Sequence, residues 1–267
     1  MTTLCGVVGW PVAHSRSPAM HNAAYAALGM DWNYLALPVE PDLFAETVRA
    51  LPGSGYRGIN VTVPHKVAAL ALADEASAAA REIGASNSLR FDADGWIVAE
   101  NTDAGGFIDA LGEQPAGRTA LVLGAGGAAR AIVYALREAG AAEVRVWNRT
   151  PERARELAAD LGVSVVESPG AADILVNSTT VGLDRALPAA DAIEALGLAD
   201  LDPPPIVVDL LYGEGDSPVC AWARRGGAQV FDGLEMLVGQ GARSFEDWTG
   251  REAPIDVMRA AARGVSR

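Results

Sequence analysis

Two side chains that could carry acid–base chemistry follow predicted strands. Lys66 stands just after the strand predicted at 58–63, in the first turn of a helix that Pro64 opens. The positive end of a helix dipole disfavours a cation there, so an amine in this place is suited to giving and accepting a proton. Asp103 follows another predicted strand, at 96–100. Because ligands bind at the carboxyl ends of strands in open α/β sheets, we expect Lys66 and Asp103 to belong to one site.

Hydroxyl and amide side chains accompany this pair. Ser15 and Ser17 precede the helix predicted at 18–28, beside its free backbone N–H groups, and this arrangement suits a carboxylate. Ser17 could instead simply cap that helix. Further candidates near strand ends are Asn60, Thr62 and Asn87.

A glycine-rich turn follows the strand predicted at 119–123. It comprises Gly124, Ala125, Gly126, Gly127 and Ala128, and a predicted helix follows directly. The first glycine permits a tight turn, the second lets the backbone approach a pyrophosphate, and the small residues after it leave the helix N-terminus open to phosphate. Strand, glycines and helix in this order predict a dinucleotide-binding Rossmann unit. The alternative is a glycine-rich turn without a ligand.

The end of the next strand, predicted at 144–147, indicates which dinucleotide binds. An NAD site places Asp or Glu there, on the ribose hydroxyls. This strand ends instead in Asn148, Arg149 and Thr150, and Arg153 follows. The Arg149 guanidinium can pair with a 2′-phosphate and stack on adenine. The sequence therefore predicts NADP; the alternative is that both arginines are solvated charges at a helix start.

Composition narrows the class of protein. Half of the 267 residues are hydrophobic, and the formal net charge of -13 repels nucleic acid. Cys5 and Cys220 are expected to be free thiols, and no Cys/His pattern predicts a metal site. No apolar run approaches the roughly 20 residues that span a membrane, and the first residues do not have the pattern of a signal peptide. We expect a cytoplasmic protein.

The predicted elements form two α/β units. Strands alternate with helices in residues 1–103, which indicates parallel strands, and residues 104–236 contain the Rossmann unit. The helices of residues 237–267 have no strand after them and are expected to pack on the first unit. We therefore predict a substrate-binding domain of residues 1–103 plus 237–267, an NADP-binding domain of residues 104–236, and a cleft between them.

The order of these segments resembles that of shikimate dehydrogenases along nearly the whole chain. The first two motifs are quite specific to that family, whereas the glycine turn is shared by many dinucleotide-binding proteins. The matching segments are Gly9-Trp10-Pro11-x-x-His14-Ser15-x-Ser17-Pro18-x-x-His21-Asn22, Gly58-Ile59-Asn60-Val61-Thr62-Val63-Pro64-x-Lys66, Gly84-Ala85-x-Asn87, Asn101-Thr102-Asp103, Gly124-Ala125-Gly126-Gly127-Ala128, Asn148-Arg149-Thr150, Asn177-Ser178-Thr179 and Gly233-x-x-Met236-Leu237-x-x-Gln240.

The resemblance implies a role for each candidate residue. Lys66 and Asp103 form the catalytic pair at the ring oxygen that undergoes redox, without a metal. Ser15 and Ser17 hold the substrate carboxylate. The remaining substrate contacts come from Asn60, Thr62, Asn87, Tyr212 and Gln240. The cofactor contacts come from the glycine turn (Gly124, Ala125, Gly126, Gly127 and Ala128), from Asn148, Arg149, Thr150 and Arg153, and from Leu210 and Gly233 on the nicotinamide side.

We therefore predict an NADP-dependent oxidoreductase, a monomer or homodimer, that interconverts 3-dehydroshikimate and shikimate in aromatic amino-acid biosynthesis. The nearest alternative is a dehydrogenase of quinate or of mixed quinate/shikimate specificity, because the two substrates differ by one ring hydroxyl. A non-catalytic NADP-binding sensor would bind the cofactor without turnover, but it would not need both Lys66 and Asp103. A methylene-tetrahydrofolate dehydrogenase is a weaker alternative, because the His14-Ser15-x-Ser17-Pro18 segment is unexpected there.

Overall fold

A computed structural model gives the fold and describes residues 2–112, 114–184, 186–213 and 215–264. The chain divides into two compact units, one of Met1–Gly106 with Leu237–Arg267 and one of Phe107–Met236. The predicted boundary falls slightly earlier, after residue 103, where a helix begins that runs across the observed division.

The elements are short and alternate along both units. The strands are β1 (Thr3–Gly9), β2 (Trp32–Pro38), β3 (Tyr56–Val61), β4 (Glu75–Ala76), β5 (Ser88–Phe91), β6 (Ile97–Glu100), β7 (Thr119–Leu123), β8 (Glu143–Trp147), β9 (Ser164–Val165), β10 (Ile174–Asn177), β11 (Ile206–Asp209) and β12 (Gln229–Asp232). The helices are α1 (Ser17–Ala27), α2 (Phe44–Ala50), α3 (Lys66–Leu72), α4 (Ala78–Ile83), α5 (Asp103–Leu111), α6 (Gly127–Glu138), α7 (Pro151–Leu161), α8 (Ala189–Ala195), α9 (Pro218–Arg225), α10 (Gly233–Thr249) and α11 (Ile255–Arg263).

The first unit is built on a six-stranded sheet of order β2-β1-β3-β5-β6-β4. β1 pairs in parallel with β2 and β3, as the alternation of strands and helices predicts. β5 departs from that prediction and runs antiparallel to both β3 and β6. The cause is a tight turn, closed by the bond from Gly95 N to Asp92 O, which reverses the chain and makes β5 and β6 a hairpin.

This reversal gathers four loops at one edge of the sheet. Val8, near the end of β1, pairs with Val61 at the end of β3. Ser88 begins β5 and pairs with Asn60 of β3 and with Glu100 at the end of β6. The segments that follow β1, β3 and β6, and the segment that precedes β5, therefore share one edge. All the predicted substrate and catalytic residues before position 104 lie in or next to these segments.

The second unit has a six-stranded sheet of order β12-β11-β10-β7-β8-β9, and every neighbouring pair in it is parallel. Its central strands β10 and β11 are buried at every position, as expected when helices cover both faces of a parallel sheet. The order corresponds to the 3-2-1-4-5-6 arrangement of dinucleotide-binding folds. The glycine turn follows β7, where the strand order changes direction and a ligand crevice forms.

The C-terminal helices complete the first unit. The Arg16 guanidinium, just before α1, donates to the carbonyl oxygen of Ala262 in α11 at 2.7 Å. A core of the same unit packs buried sheet residues such as Ile59 and Leu89 against α2 and α3. No helix among the described residues is both long and apolar enough to cross a bilayer.

Several elements differ from their predicted form. The helix predicted from Asp42 begins as a 3-10 turn at Pro41–Leu43, and no side chain caps it. α4 and α8 are short, alanine-rich helices that hydrophobic periodicity does not reveal. A capping signal does precede α4, because the Ser77 hydroxyl accepts the backbone N–H of Ala80. The helix predicted at 107–112 begins at Asp103, which places that carboxylate in the first turn.

Candidate active site

Lys66 and Asp103 are in direct contact. Lys66 Nζ lies 2.5 Å from Asp103 Oδ2, and only 11% and 6% of the two side chains are exposed. Each is the first residue of its helix, α3 and α5. Both helices begin shortly after a strand, so the backbones of both residues lie at the edge of the sheet. A charged pair so little exposed needs further hydrogen bonds to offset its desolvation. Lys66 is also the only lysine in the chain, which otherwise uses arginine as its cation.

The start of α3 is held from two directions. The Lys66 carbonyl accepts the Ser86 N–H at 2.9 Å, which joins α3 to the segment before β5. The buried His65 ring stacks on Phe44, with centroids 4.5 Å apart, and its Nε2 lies 2.8 Å from Val39 O. Burial lowers the pKa of His65, so the neutral ring donates its Nε2–H to that carbonyl. These contacts hold the first turn of α3, in which Lys66 lies.

Asn87 completes the surroundings of Asp103. Its Oδ1 accepts the Thr102 N–H at 2.7 Å, which fixes the amide orientation. Its Nδ2 then donates to Asp103 Oδ1 at 2.9 Å, so each carboxylate oxygen of Asp103 has one donor. The same Nδ2 lies 2.9 Å from Thr102 Oγ1 and 3.2 Å from Gln240 Oε1. Gln240, from α10, is thus brought to the site although it stands far away in the sequence.

Asn60 is engaged at both ends of its amide. The Tyr34 hydroxyl donates to Asn60 Oδ1 at 2.8 Å, and Asn60 Nδ2 donates to Asn87 O at 3.2 Å and to Ser244 Oγ at 2.8 Å. Sequence reasoning missed Tyr34 and Ser244. The signal for Ser244 is its position one helical turn after Gln240, on the same face of α10.

Ser15 and Ser17 lie in the loop between β1 and α1. Ser17 is the first residue of α1, and no side chain caps this helix. The alternative that Ser17 is only a capping residue is therefore wrong. The Ser17 N–H instead points to Ser15 Oγ at 3.3 Å. The lack of a side chain at Gly9 allows this loop to lie close to Thr62, because a Cβ at position 9 would stand only 2.4 Å from Thr62 Cγ2.

The glycine turn is tight at its first residue and open at its third. Gly124 adopts a φ of +113°, and a Cβ there would lie 2.6 Å from Ser178 Oγ. Gly126 is exposed, and a Cβ there would meet no atom within 4 Å, so the turn is open where a ligand would approach. Gly127 begins the twelve-residue helix α6, whose first N–H groups lack intrahelical partners. Ala125 and Ala128 keep the rim of this turn small.

The end of β8 bears no carboxylate. Asn148 Nδ2 donates to Thr150 O at 2.8 Å and so shapes the turn into α7. Arg149 and Arg153 are both exposed, and neither forms an ion pair with any residue that the structure describes. The guanidinium groups are therefore available to a 2′-phosphate at this end of the strand.

Leu210 and Gly233, the residues predicted for the nicotinamide side, are adjacent. A Cβ at Gly233 would stand 2.1 Å from Leu210 O, and the Gly233 N–H donates to Leu211 O at 3.1 Å. Tyr212 lies half-buried in the same loop after β11, in the second unit, whereas the other predicted substrate residues belong to the first.

A buried carboxylate that sequence reasoning missed organises this loop. Asp209, the last residue of β11, accepts hydrogen bonds from Ser217 Oγ at 2.5 Å, Asn177 Nδ2 at 3.0 Å and the Leu211 N–H at 3.1 Å. Burial raises the pKa of Asp209 to about 6, against the opposing effect of these donors. Asp209 therefore ties the ends of β10 and β11 to the start of α9.

No group of three or more His, Cys, Asp or Glu side chains that could hold a metal ion occurs within the described ranges. The side chains gathered at this edge of the first unit offer an amine, a carboxylate and hydrogen-bonding groups. A parallel sheet with a glycine turn at its switch point, together with a Lys–Asp pair at the sheet edge of another α/β unit, defines a dinucleotide-dependent oxidoreductase.

Comparison with known proteins identifies the family. The family models that match are "Shikimate dehydrogenase substrate binding domain" over residues 7–89, "Shikimate / quinate 5-dehydrogenase" over residues 109–181 and "Shikimate 5'-dehydrogenase C-terminal domain" over residues 233–263. The chain therefore belongs to the shikimate dehydrogenase family.

Individual relatives agree over nearly full length. The NADP(+)-dependent shikimate dehydrogenase of Methanothermobacter thermautotrophicus is 41% identical over 99% of this chain and 97% of its own. That of Paracoccus denitrificans is 43% identical over 95% of this chain and 93% of its own. A crystal structure of shikimate 5-dehydrogenase from Thermus thermophilus, in complex with NADP(H) and shikimate, is 40% identical, with a TM-score of 0.85 and coverage of 99% of this chain and 100% of that one. The predicted family, fold class, enzyme class and cofactor are confirmed.

Alanine substitutions at Gly126 and Gly124 should have different effects, the first on NADP binding and the second on the stability of the fold. Gly126→Ala adds a methyl group that meets no protein atom, so the unfolding temperature should change little. NADP affinity should fall about tenfold or more, because that methyl group occupies the approach to the pyrophosphate. Gly124→Ala should instead destabilise the fold by about 1–3 kcal/mol, through its positive φ and the contact with Ser178. Calorimetric NADP titration and thermal unfolding of both variants test this; equal phenotypes would contradict it.

Asp209 predicts a pH dependence of stability. Its pKa is raised from an ordinary value of 3.8 to about 6, so in that interval the folded chain retains a proton that the unfolded chain has released. The stabilisation from this group is complete below the unfolded value and is lost as pH rises through the folded value. The unfolding temperature of the wild type relative to Asp209→Asn should therefore decrease across this interval. A difference that stays constant over the interval would show that Asp209 does not titrate in this way.

Proposed function

We propose that the chain interconverts 3-dehydroshikimate and shikimate with NADPH and NADP, and that Lys66 and Asp103 carry the proton chemistry. The observation that carries this proposal is the contact of 2.5 Å between Lys66 Nζ and Asp103 Oδ2, at an edge lined with hydroxyl and amide groups. A buried amine paired with a carboxylate suits a ketone that becomes a hydroxyl, because the developing alkoxide needs both a positive charge and a proton.

Lys66 gives and takes the proton. In the direction of reduction, its ammonium group donates a proton to the carbonyl oxygen of the substrate, and the nicotinamide of bound NADPH supplies the hydride. In the direction of oxidation, the neutral amine accepts the proton of the ring hydroxyl. Asp103 holds Lys66 in place through Oδ2, and its carboxylate accepts a hydrogen bond from the neighbouring substrate hydroxyl.

The remaining polar groups hold the substrate ring. Ser15 and Ser17 bind the carboxylate beside the N-terminus of α1, whose free N–H groups and dipole favour an anion. Thr62, Asn87 and Gln240 bind ring hydroxyls, and Asn60 accepts one through the remaining lone pair of its Oδ1. Tyr212, in the loop after β11, is the remaining residue that we propose to bind the substrate.

The second unit holds NADP. The glycine turn, Gly124 to Ala128, receives the pyrophosphate, and Leu210 and Gly233 face the nicotinamide. Asn148, Arg149, Thr150 and Arg153 receive the adenosine 2′-phosphate, which the arginines neutralise.

The cellular setting is part of the proposal. We expect a cytoplasmic monomer or homodimer whose partner is the small-molecule substrate, and a net charge of -13 disfavours nucleic acid. Size-exclusion chromatography with light scattering measures the number of subunits.

A spectrophotometric assay tests the activity and the substrate together. The wild type is incubated with shikimate or quinate, each with NADP or NAD, and the appearance of reduced nicotinamide is followed. Shikimate with NADP should give the highest kcat/KM. Quinate oxidation at a comparable kcat/KM would instead favour the mixed specificity that the name of the matching "Shikimate / quinate 5-dehydrogenase" family model allows. Cofactor binding without any turnover would favour a sensor.

Two substitutions of Lys66 separate its charge from its proton transfer. Lys66→Ala should lower kcat by about 10²–10⁴-fold, the usual contribution of an acid–base group. Lys66→Arg keeps the positive charge beside Asp103, but a guanidinium does not release a proton near neutral pH, so its kcat should be nearly as low. A kcat of Lys66→Arg within about tenfold of the wild type would assign Lys66 an electrostatic role only.

Arg149 should determine the preference for NADP over NAD. Arg149→Ala should raise the KM for NADP by about 10–100-fold, the value of a lost charge-assisted contact, and leave the KM for NAD nearly unchanged. Arg155→Ala is the matched control, because Arg155 lies on α7, just after the turn that contains Arg149, and pairs with Glu152 in solvent. The assignment is wrong if Arg149→Ala changes the KM for NADP no more than Arg155→Ala does, or changes the KM for NAD by the same factor.

A further inference from the structure

The amide of Asn60 is held at each end by a residue to which the reaction assigns no part, Tyr34 at one end and Ser244 at the other. At one end the Tyr34 hydroxyl donates to Oδ1 at 2.8 Å, and at the other end Nδ2 donates to Ser244 Oγ at 2.8 Å and to Asn87 O. Both N–H groups of Asn60 are therefore used within the protein. Only the second lone pair of Oδ1 is left for a ligand, so Asn60 can act toward a substrate only as an acceptor.

Tyr34 is itself fixed by two residues of the first sequence motif, His21 and Asn22. Asn22 Nδ2 donates to Tyr34 O at 2.9 Å, and Asn22 Oδ1 accepts the Tyr34 N–H at 2.8 Å. The Asn22 side chain thus takes the place of a neighbouring strand at the free edge of β2. The His21 ring stacks on Tyr34 with centroids 4.3 Å apart and planes at 6°. Burial lowers the pKa of His21 to about 3, so this stacked ring is neutral.

Ser244 is fixed by its helix. Its hydroxyl lies 3.1 Å from Gln240 O and 3.3 Å from Thr102 Oγ1, and the residue is fully buried. Gln240 and Ser244 are one turn apart on α10, so the same helix face reaches both Asn87 and Asn60. Hydrogen bonds join Tyr34 to Asn60 and Asn60 to the backbone carbonyl of Asn87, whose side chain in turn donates to Asp103.

We propose that Tyr34 and Ser244 are positioning residues of the reaction, which hold the Asn60 amide from opposite ends so that its Oδ1 accepts a substrate hydroxyl. This inference rests on the proposed function. An amide plane anchored at one end can swing, whereas one anchored at both ends presents its free lone pair in one direction. The two anchors act before the substrate arrives, so their contribution belongs to substrate binding.

Tyr34→Phe tests the first anchor, because it removes one hydroxyl and keeps the ring stacked on His21. The KM for shikimate should rise by about tenfold, the upper range for one lost neutral hydrogen bond. The KM for NADP should stay unchanged, because the cofactor residues lie in the second unit. Tyr25→Phe is the matched control: Tyr25 is equally buried and also packs near His21, but no hydrogen bond joins it to Asn60.

A double-mutant cycle separates positioning from a general structural role. In an Asn60→Ala background, the effect of Tyr34→Phe on the KM for shikimate should disappear, because Tyr34 acts only through Asn60. A rise of equal size in both backgrounds overturns the proposal, as does an unchanged KM in the single variant. Absence of shikimate oxidation by the wild type contradicts the proposed function instead, and that result is seen before any variant is compared.

Ser244→Ala decides the question if Tyr34→Phe does not fold. Alanine is favoured within a helix, so α10 tolerates this change. The variant releases Asn60 Nδ2 at the other end and should also raise the KM for shikimate several-fold while leaving the KM for NADP unchanged. An unchanged KM for shikimate in this variant, with the folded state verified by circular dichroism, overturns the proposal for Ser244.

Discussion

A nearly buried ion pair is the constraint on which the first unit depends. Lys66 and Asp103 are 2.5 Å apart and largely removed from water, a situation that is costly for either charge alone. Each begins a helix, and each helix follows a strand end at the same edge of one sheet. The hairpin of β5 and β6 brings the strand end before Asp103 to the one before Lys66, so the contact between the two side chains depends on this reversal of the chain.

Hydrogen bonds of neutral side chains surround that pair and hold it in position. Asn87 turns its amide toward Asp103 because a backbone N–H occupies its oxygen, and Asn60 is oriented in the same manner by Asn87 O, Tyr34 and Ser244. Neutral amides are well suited to this task, because each has a donor end and an acceptor end. In the second unit a carboxylate, Asp209, does the comparable work for the loop after β11 by collecting three donors.

Sequence reasoning reached the parts of this arrangement that local patterns encode. The glycine turn lies between a buried strand and a helix, and Lys66 directly begins a helix, so both positions follow from spacing. The antiparallel course of β5 comes from the local turn closed by Gly95 and Asp92, whereas the short helices α4 and α8 and the anchors Tyr34 and Ser244 did not follow, because they depend on partners distant in the chain. Tyr34 alternates in β2 like any half-buried strand residue, and Asp209 resembles any strand-end carboxylate until its three donors are in place.

One consequence arises from Lys66 being the chain's only lysine. Reagents that couple to primary amines have one side-chain target in this protein, the Lys66 amine, beside the terminal amino group. Attachment to a solid support through lysine would therefore have to break the contact between Lys66 and Asp103, whereas isotopic dimethylation would give, besides the signal of the terminal amino group, one magnetic-resonance signal from a side chain. That signal would report the ionisation of one atom, Nζ of Lys66, with no other side chain to confuse it.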